Sequence, residues 1–273
     1  MDFYSQNFKH VSVVVKNDHE LWITLNNPEQ MNAITLEMVE SLTSVLYHAD
    51  FDSKIRVAVI TGAGKAFCAG GDIKAMENKS GMFAGESNEL RMRYEHGIQK
   101  IPECIEKISL PVIAMVNGAA IGAGCDLAMM CDLRIGNSQS KFAETFSKLG
   151  LVPGDGGTFF LQRVVGFSKA MDMFLTAKMI QGRAAFDFGL LNYISDSDDQ
   201  LMEMTASIAS QISSNAPMAL KMTKMAMKAS YLNDLRTSLN MLSSFQGITQ
   251  RSHDHFEALS AFKEKRAPQF LGK

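Results

Sequence analysis

The longest apolar stretch of the chain, LPVIAMVNGAAIGAGCDLAMMC at 110–131, narrows the possible folds most. It carries one charged residue, Asp126, and could at first sight be mistaken for a membrane span. However, Pro111, Asn117 and three glycines interrupt it, and an unpaired Asp126 near the middle of a bilayer would be unfavourable. The stretch therefore predicts a buried strand, a turn of small residues and a buried helix.

Over the first two thirds of the chain, short apolar segments alternate with segments whose apolar residues follow helical spacing. VSVVV at 11–15 and LWITL at 21–25 flank a polar turn, and RVAVITGAG at 56–64 and LRIGN at 133–137 read as further strands. TLEMVESLTSVLYHAD at 35–50 has its apolar residues at helical spacing, with Thr35 as a candidate N-cap. Strands alternating with helices are typical of an α/β fold.

The strand signals end near residue 197, and successive amphipathic helices follow. We therefore predict a core of residues 1–196 and a helical region of residues 197–273. Within the core, residues 88–108 are predicted to form one continuous helix. The segment KMTKMAMK at 221–228 is expected to place its methionines in the core or in an interface, because Met is an adaptable filler.

Composition excludes several classes of protein. The net charge of −2 gives no electrostatic footprint for nucleic acid or for an anionic membrane surface, so we expect neither as a partner. The four cysteines show neither CxxC nor zinc spacing, which indicates buried thiols in a reducing compartment. MDFYSQNFKH does not resemble a secretory signal, and a cytoplasmic location is expected by default.

Two loops of small residues each leave a strand and enter a possible helix: CAGGDIKAM at 68–76 and NGAAIGAGCDLAMM at 117–130. Neither TGAGKA at 61–66 nor GAGCDL at 122–127 satisfies a phosphate-loop or dinucleotide pattern. Loops without bulky side chains leave backbone N–H groups bare, and two facing loops could each offer one N–H to a single oxygen, as in an oxyanion hole. The alternative is that the glycines only permit tight turns.

Three segments, in this order and spacing, resemble the enoyl-CoA hydratase/isomerase family, the crotonases: FCAGGDIKAM, PVIAMVNGAAIGAGCDLAMMCDLRI and KFAETFSKLGLVPGDGGTFFLQRVVG. NNPEQMNAIT near the N-terminus and AFKEKRAPQFLGK at the C-terminus are also similar to family segments. The resemblance implies an α/β crotonase-type spiral of ββα units with a C-terminal helical trimerisation region. It also implies a homotrimer or hexamer, an acyl-CoA thioester as substrate, and no cofactor or metal.

The resemblance also implies site residues. The thioester oxygen would accept hydrogen bonds from the backbone N–H groups of Gly71 and Ala123. Lys74 and Lys265 would meet phosphates of CoA, or would instead be solvated surface charges. The full set expected to border CoA or the acyl group is Ala33, Ala69, Asp72, Ile73, Lys74, Gly122 and Lys265.

The candidate acid and base groups depart from the family pattern. Hydratases of the family use two glutamates; Asp126 stands at the first position and Phe146 at the second. Glu144 and Asp155 lie close to Phe146 in sequence and could substitute for the missing carboxylate. Each carboxylate also has a structural alternative: Asp126 as a helix N-terminal charge, Glu144 in a salt bridge, and Asp155 as the N-cap of a helix over 156–165.

Hydration of a trans-2-enoyl-CoA is the function that the sequence favours. A single carboxylate is enough for double-bond isomerisation, including ring-type isomerisation, so this reaction is the main alternative. A non-catalytic member that binds acyl-CoA is a third possibility, because the second glutamate position holds Phe146.

Overall fold

Ten strands form two sheets in the part of the chain that the structure, a computed structural model, describes, namely residues 3–273. The strands are β1 (Val11–Lys16), β2 (Glu20–Leu25), β3 (Val57–Gly62), β4 (Ala66–Cys68), β5 (Val112–Val116), β6 (Ala119–Ile121), β7 (Leu133–Asn137), β8 (Lys141–Ala143), β9 (Met179–Gln181) and β10 (Tyr193–Ser195). The first sheet has the order β1-β2-β3-β5-β7-β10 and the second has the order β4-β6-β8-β9.

The same residues contain twelve α-helices. They are α1 (Leu36–Phe51), α2 (Ile73–Glu77), α3 (Ser87–His96), α4 (Lys100–Lys107), α5 (Ala123–Met130), α6 (Gly157–Val165), α7 (Phe167–Thr176), α8 (Gly182–Phe188), α9 (Asp198–Ser213), α10 (Pro217–Leu232), α11 (Leu235–Thr249) and α12 (His253–Glu264).

From β3 to β8, successive strands alternate between the two sheets. Three consecutive strand pairs have one strand in the first sheet and one in the second, and each pair is followed by a helix. These units are β3–β4 with α2, β5–β6 with α5, and β7–β8 with α6. The pairing is parallel except for β1 with β2 and β8 with β9. The α/β class and the repeated strand–strand–helix unit predicted from the sequence are therefore confirmed.

Both faces of the first sheet are covered, which explains why its central strands are apolar throughout. β3 and β5 are buried along their whole length. On one face, Trp22, Val59 and Met115 pack against Leu201 and Ile208 of α9. The division at residue 197 stays a prediction, and α9, the first helix after it, belongs by its packing to the core sheet.

The predicted elements differ from the observed ones in two places. The single helix expected over 88–108 is two helices, because α3 ends at Gly97, whose φ/ψ of −115° and −110° is not helical. The four strands of the second sheet are each three residues long, which is too short to show a periodic pattern. Thr35 caps α1 as expected, with Oγ1 accepting a hydrogen bond from the Met38 amide at 3.2 Å.

The methionines of 221–228 are not core residues as a group. Met225 and Met227 are exposed, whereas Lys224 is buried and faces the body of the protein. Of the two environments expected, core packing is wrong for these two side chains, because the lysines of α10 occupy the inner face instead. Packing in an interface stays a prediction. None of the helices within residues 3–273 is both long enough and apolar enough to cross a membrane.

Candidate functional site

The two loops of small residues meet at a small cavity of about 60 Å³, next to the ends of β4 and β6. Its walls combine the loop backbones with apolar and aromatic side chains from three other segments. The lining residues are Ala69, Gly70, Gly71, Ile73, Met76, Phe83, Tyr94, Ile98, Ile121, Gly122, Ala123, Thr145, Phe146, Leu149, Leu151 and Asp155.

Glycines allow the two loops to approach each other. A Cβ on Gly70, whose φ is +89°, would lie 2.6 Å from the Ile121 carbonyl oxygen and 3.3 Å from the Ala123 nitrogen. A Cβ on Gly124 would lie 2.0 Å from the Cys68 carbonyl oxygen, so α5 begins against the end of β4. The absence of side chains at these positions is what brings the loop backbones into contact.

Gly71 and Ala123 both line the cavity. The backbone N–H of neither residue donates a hydrogen bond to another group in residues 3–273. Ala123 is the first residue of α5, where amides have no partner within the helix. Two residues of the cavity wall therefore have a backbone amide without an acceptor within residues 3–273.

Three carboxyl groups from different elements converge beneath this cavity. Asp126 lies in the first turn of α5, Glu144 directly follows β8, and Asp155 precedes α6. The exposed fraction is 0% for Asp126, 0% for Glu144 and 3% for Asp155. Of the three, only Asp155 lines the cavity, while Asp126 lies against Gly157, where a Cβ would come within 1.9 Å of its Oδ1.

No cation accompanies these carboxyl groups within residues 3–273, because none of the ion pairs there includes them. Treated as ionised carboxylates, both oxygens of Asp126, both of Glu144 and Oδ1 of Asp155 have no hydrogen-bond donor. Burial raises the pKa of Glu144 to about 7, and it raises the pKa of Asp155 as well. Burial and the neighbouring Glu144 and Asp155 raise the pKa of Asp126 well above its usual range.

Two of the three structural alternatives are wrong. Glu144 makes no salt bridge among the described residues. Asp155 does not cap α6, since Gly156 occupies the N-cap position and no side chain caps that helix. Asp126 does stand in the first turn of α5, as its alternative requires, but its raised pKa argues against a role as a fixed negative charge there.

The other predicted residues divide into two groups. Ala69, Ile73 and Gly122 line the cavity, whereas the remaining four do not; these are Ala33, Asp72, Lys74 and Lys265. Asp72 caps α2, its Oδ1 accepting a hydrogen bond from the Ala75 amide at 3.1 Å. Phe146 lines the cavity at the place where the family resemblance put a second glutamate.

Aromatic and apolar residues of 77–100 complete the cavity, in a region without a clear sequence pattern. Phe83 lies above Gly71, and Tyr94 lies against Gly154. A Cβ on Gly154 would approach the Tyr94 ring to 2.9 Å. No local signal in the sequence connects residues so far apart, and sequence reasoning therefore did not identify Tyr94.

A second, larger cavity of about 780 Å³ lies between α6 and α10. Its walls are mainly apolar, and two of its charged groups are already paired: Lys224 with Asp132 at 2.7 Å and Lys228 with Glu106 at 3.4 Å. Size alone therefore does not mark the reactive site. The smaller cavity is lined by Gly71 and Ala123, whose amides have no acceptor within residues 3–273, and by the buried Asp155.

The sequence of residues 17–273 matches the family model described as enoyl-CoA hydratase/isomerase. The chain belongs to this family. Its architecture agrees with a solved enoyl-CoA hydratase from Bacillus anthracis, with a TM-score of 0.90 and 33% sequence identity over 97% of this chain and 100% of the other.

Relatives within the enoyl-CoA hydratase/isomerase family carry different activity names. The chain is 35% identical over 251 residues to a 1,2-epoxyphenylacetyl-CoA isomerase of Escherichia coli, covering 92% of this chain and 94% of the relative. It is 36% identical over 247 residues to a short-chain-enoyl-CoA hydratase of Clostridium acetobutylicum, covering 89% of this chain and 91% of the relative. Family membership is thus compatible with either a hydratase or an isomerase activity.

Proposed function

We propose that the protein is an enoyl-CoA double-bond isomerase in which Asp155 carries the proton. The observation that supports this most is that Asp155 is the one carboxyl group of the three that borders the cavity. Phe146 stands where a hydratase of the family has its second glutamate, so the cavity wall there has no second acid or base. The sequence favoured hydration, and the geometry favours isomerisation.

The proposed reaction needs a single base that returns the proton it takes. The Asp155 carboxylate removes a proton from the carbon next to the thioester of a 3-enoyl-CoA, and the electron pair of that C–H bond moves toward the thioester oxygen. The double bond then shifts into conjugation with the thioester, and Asp155 returns the proton to the far carbon. No water is consumed and nothing is oxidised or reduced.

The amides of Gly71 and Ala123 would stabilise the negative charge on the thioester oxygen. Both residues line the cavity and neither amide has another acceptor within residues 3–273. In other enzymes, loss of one such donor costs roughly 3–4 kcal/mol of transition-state stabilisation. The raised pKa of Asp155 suits proton transfer near neutral pH, because it makes the carboxylate a stronger base.

The test measures the formation of a conjugated thioester from a 3-enoyl-CoA by its absorbance. We expect Asp155→Asn to lower the rate by about 10²-fold or more, since general acid–base catalysis contributes that much. Asp187→Asn is the matched control, because Asp187 is an exposed partner of Arg183 outside the cavity, and it should keep the rate. An Asp155→Asn variant with unchanged rate would refute the role of Asp155.

Hydration is the second candidate, because Glu144 and Asp126 lie in the same carboxyl cluster and hydratases are among the relatives. Loss of the absorbance of crotonyl-CoA, faster than conversion of a 3-enoyl-CoA, would favour it. If neither thioester is turned over but calorimetry detects binding of a CoA ester, a binding-only function would be favoured.

Further parts of the proposal concern CoA, assembly and location. Lys74 is exposed next to the Gly71 loop, and we assign it to a CoA phosphate, with Lys265 as a second candidate. Ala33 and Asp72 are proposed to border CoA through their backbone. Self-association into a homotrimer or hexamer, a cytoplasmic location and the absence of a cofactor, metal or nucleic-acid partner stay predictions.

A further inference from the structure

The carboxyl cluster holds more potential negative charge than its surroundings can support. Asp126, Glu144 and Asp155 are at least 97% buried. The titratable groups that interact with them are Cys68, Cys125 and Tyr94, all of which are neutral or negative and never positive. Three ionised carboxylates without a cation would repel each other strongly in such a site, so the cluster must retain at least one proton at neutral pH.

Asp126 is the member with the most reason to hold that proton. Asp126 and Glu144 are both completely buried and do not border the cavity. Of the two, Asp126 is the one within hydrogen-bonding reach of both other carboxyl groups, whereas Glu144 has such contact with Asp126 and not with Asp155. Hydrogen bonds between carboxyl groups require that one of the two is protonated. A proton on Asp126 would supply a donor to oxygens of Glu144 and Asp155 that otherwise have none. In agreement with this, the contact with Asp126 lowers the pKa of both neighbours and raises the pKa of Asp126.

A carboxylic acid has one O–H group and can donate it to one acceptor at a time. Glu144 has a second neighbour, the Cys125 thiol, whose hydrogen bond also lowers the pKa of Glu144. For Asp155, the side-chain hydrogen bond that lowers its pKa comes from Asp126. The Asp126 carboxyl also lies against Gly157, two residues after Asp155, and the buried Oδ1 of Asp155 has no other donor within residues 3–273, so the Asp126 proton is best directed at Asp155.

We propose that Asp126 is a positioning residue that is a neutral acid at neutral pH and donates its proton in a hydrogen bond to the Asp155 carboxylate, keeping that carboxylate ionised and directed into the cavity. This inference rests on the proposed function only in the role of Asp155. It gives Asp126 a different task from that of a group that exchanges protons with the substrate. Gly157 supports the arrangement, because any side chain there would displace the Asp126 carboxyl.

The first experiment is a difference infrared spectrum at neutral pH between the wild type and Asp126→Asn. We expect the substitution to remove the carbonyl band of a protonated carboxylic acid. Asp187→Asn, at an exposed ion pair, should instead remove the bands of an ionised carboxylate. If Asp126→Asn instead removes the bands of an ionised carboxylate and leaves the band of the protonated acid, the proposal is refuted. This readout does not depend on knowing the substrate.

The second experiment compares the isomerase kinetics of two substitutions. The Asn amide is a neutral donor of nearly the same shape, so Asp126→Asn should keep kcat within about fivefold, equivalent to roughly 1 kcal/mol for one altered hydrogen bond. If Asp126 itself moved the proton, the loss would be about 10²-fold or more.

Asp126→Ala gives a signature that a purely structural role would not produce. Removing a neutral donor should raise the pKa of Asp155 and move the acid limb of the kcat/KM profile to higher pH. Removing an ionised Asp126 would move that limb to lower pH instead, and this outcome would overturn the proposal. If Asp126→Ala does not fold, the infrared spectrum and the Asn variant still decide the question. If Asp155→Asn is active, the proposed function fails independently of the infrared result.

Discussion

Gly157 determines where the carboxyl group of Asp126 can lie. It is the first residue of α6, and a Cβ there would lie 1.9 Å from Oδ1 and 2.6 Å from Oδ2 of Asp126. Two helices thus meet at a point where one residue has no side chain and the other has a buried acid. A single methyl group at residue 157 tests this contact.

We expect Gly157→Ala to lower the free energy of unfolding by about 1–3 kcal/mol, as overpacking does, and to lower activity by displacing Asp126. Gly247→Ala is the matched control, because Gly247 lies inside α11 and its Cβ would have no heavy atom within 4 Å. That substitution should stabilise the protein by up to about 1 kcal/mol. Denaturant unfolding of both variants at equal protein concentration measures the difference; equal stability would contradict the contact.

The buried Glu144 makes a further prediction about pH. In the folded protein the pKa of Glu144 is raised to about 7, whereas in the unfolded chain it returns to about 4.5. Between these values the native state binds more protons than the unfolded state, so stability falls as the pH rises. Across this range the raised pKa of Glu144 lowers the free energy of unfolding by about 3 kcal/mol in total, at 1.36 kcal/mol per pH unit.

Glu144→Gln should therefore weaken the decline in stability between pH 4.5 and 7. The exposed Glu77→Gln is the control and should keep the wild-type slope. Thermal unfolding across that pH range measures both. A slope that is the same in the wild type and in Glu144→Gln would show that Glu144 does not keep its proton in the folded state.

At the scale of elements, α10 is attached to the core by lysines rather than by methionines. Lys221, Lys224 and Lys228 follow the spacing of one helix face. The Lys224 ammonium donates to the Leu110 carbonyl and to Asp132, both at 2.7 Å, and Lys228 donates to the Ile105 carbonyl at 2.8 Å. These bonds satisfy carbonyls at and just beyond the end of α4, where the helix leaves them without partners.

Lys224→Ala should lower the free energy of unfolding by about 2–3 kcal/mol, because it removes the donor to the Leu110 carbonyl and the cation beside Asp132. The Asp132 carboxylate then keeps the Val112 amide as a donor and loses the ammonium. Lys263→Ala in α12 removes an exposed lysine without an ion pair and should have no more than a small effect. Chemical denaturation measures both variants. Similar free energies of unfolding for the two variants would show that the buried Lys224 does not stabilise the attachment of α10 to the core.

At the scale of the whole molecule, the C-terminal helices expose large apolar side chains. Met227 is 72% exposed, Leu235 is 75% exposed and Phe262 is 84% exposed. Apolar side chains clustered on the surface of a single chain are typical of contacts with other chains. This pattern agrees with the self-association that the family resemblance implies.

Light scattering coupled to size-exclusion chromatography should give the mass of three or six chains of 30.0 kDa. A double substitution, Leu235→Asp with Phe262→Asp, should shift the population toward smaller species, because buried charges without partners are unfavourable. Lys263→Ala is the surface control and should leave the mass unchanged. A wild-type mass of one chain would contradict self-association.

The sequence by itself determined the α/β class and the positions of the longer elements. Apolar segments such as VAVITG at 57–62 and the capped helix after Thr35 carry local signals, because burial and capping act on neighbouring residues. The motifs also directed attention to Gly71, Ala123 and Asp155, all of which line one cavity. The three-residue strands of the second sheet and the break at Gly97 have no such local signal.

Only the tertiary structure decided which carboxyl group borders the cavity. In the sequence, Asp126, Glu144 and Asp155 are equivalent candidates separated by up to 29 positions. Folding brings all three together without a cation from residues 3–273 paired to them, and of the three only Asp155 borders the cavity. The physical reason is that burial and mutual repulsion depend on contacts between distant elements, so their effect on a proton cannot be read from neighbouring residues.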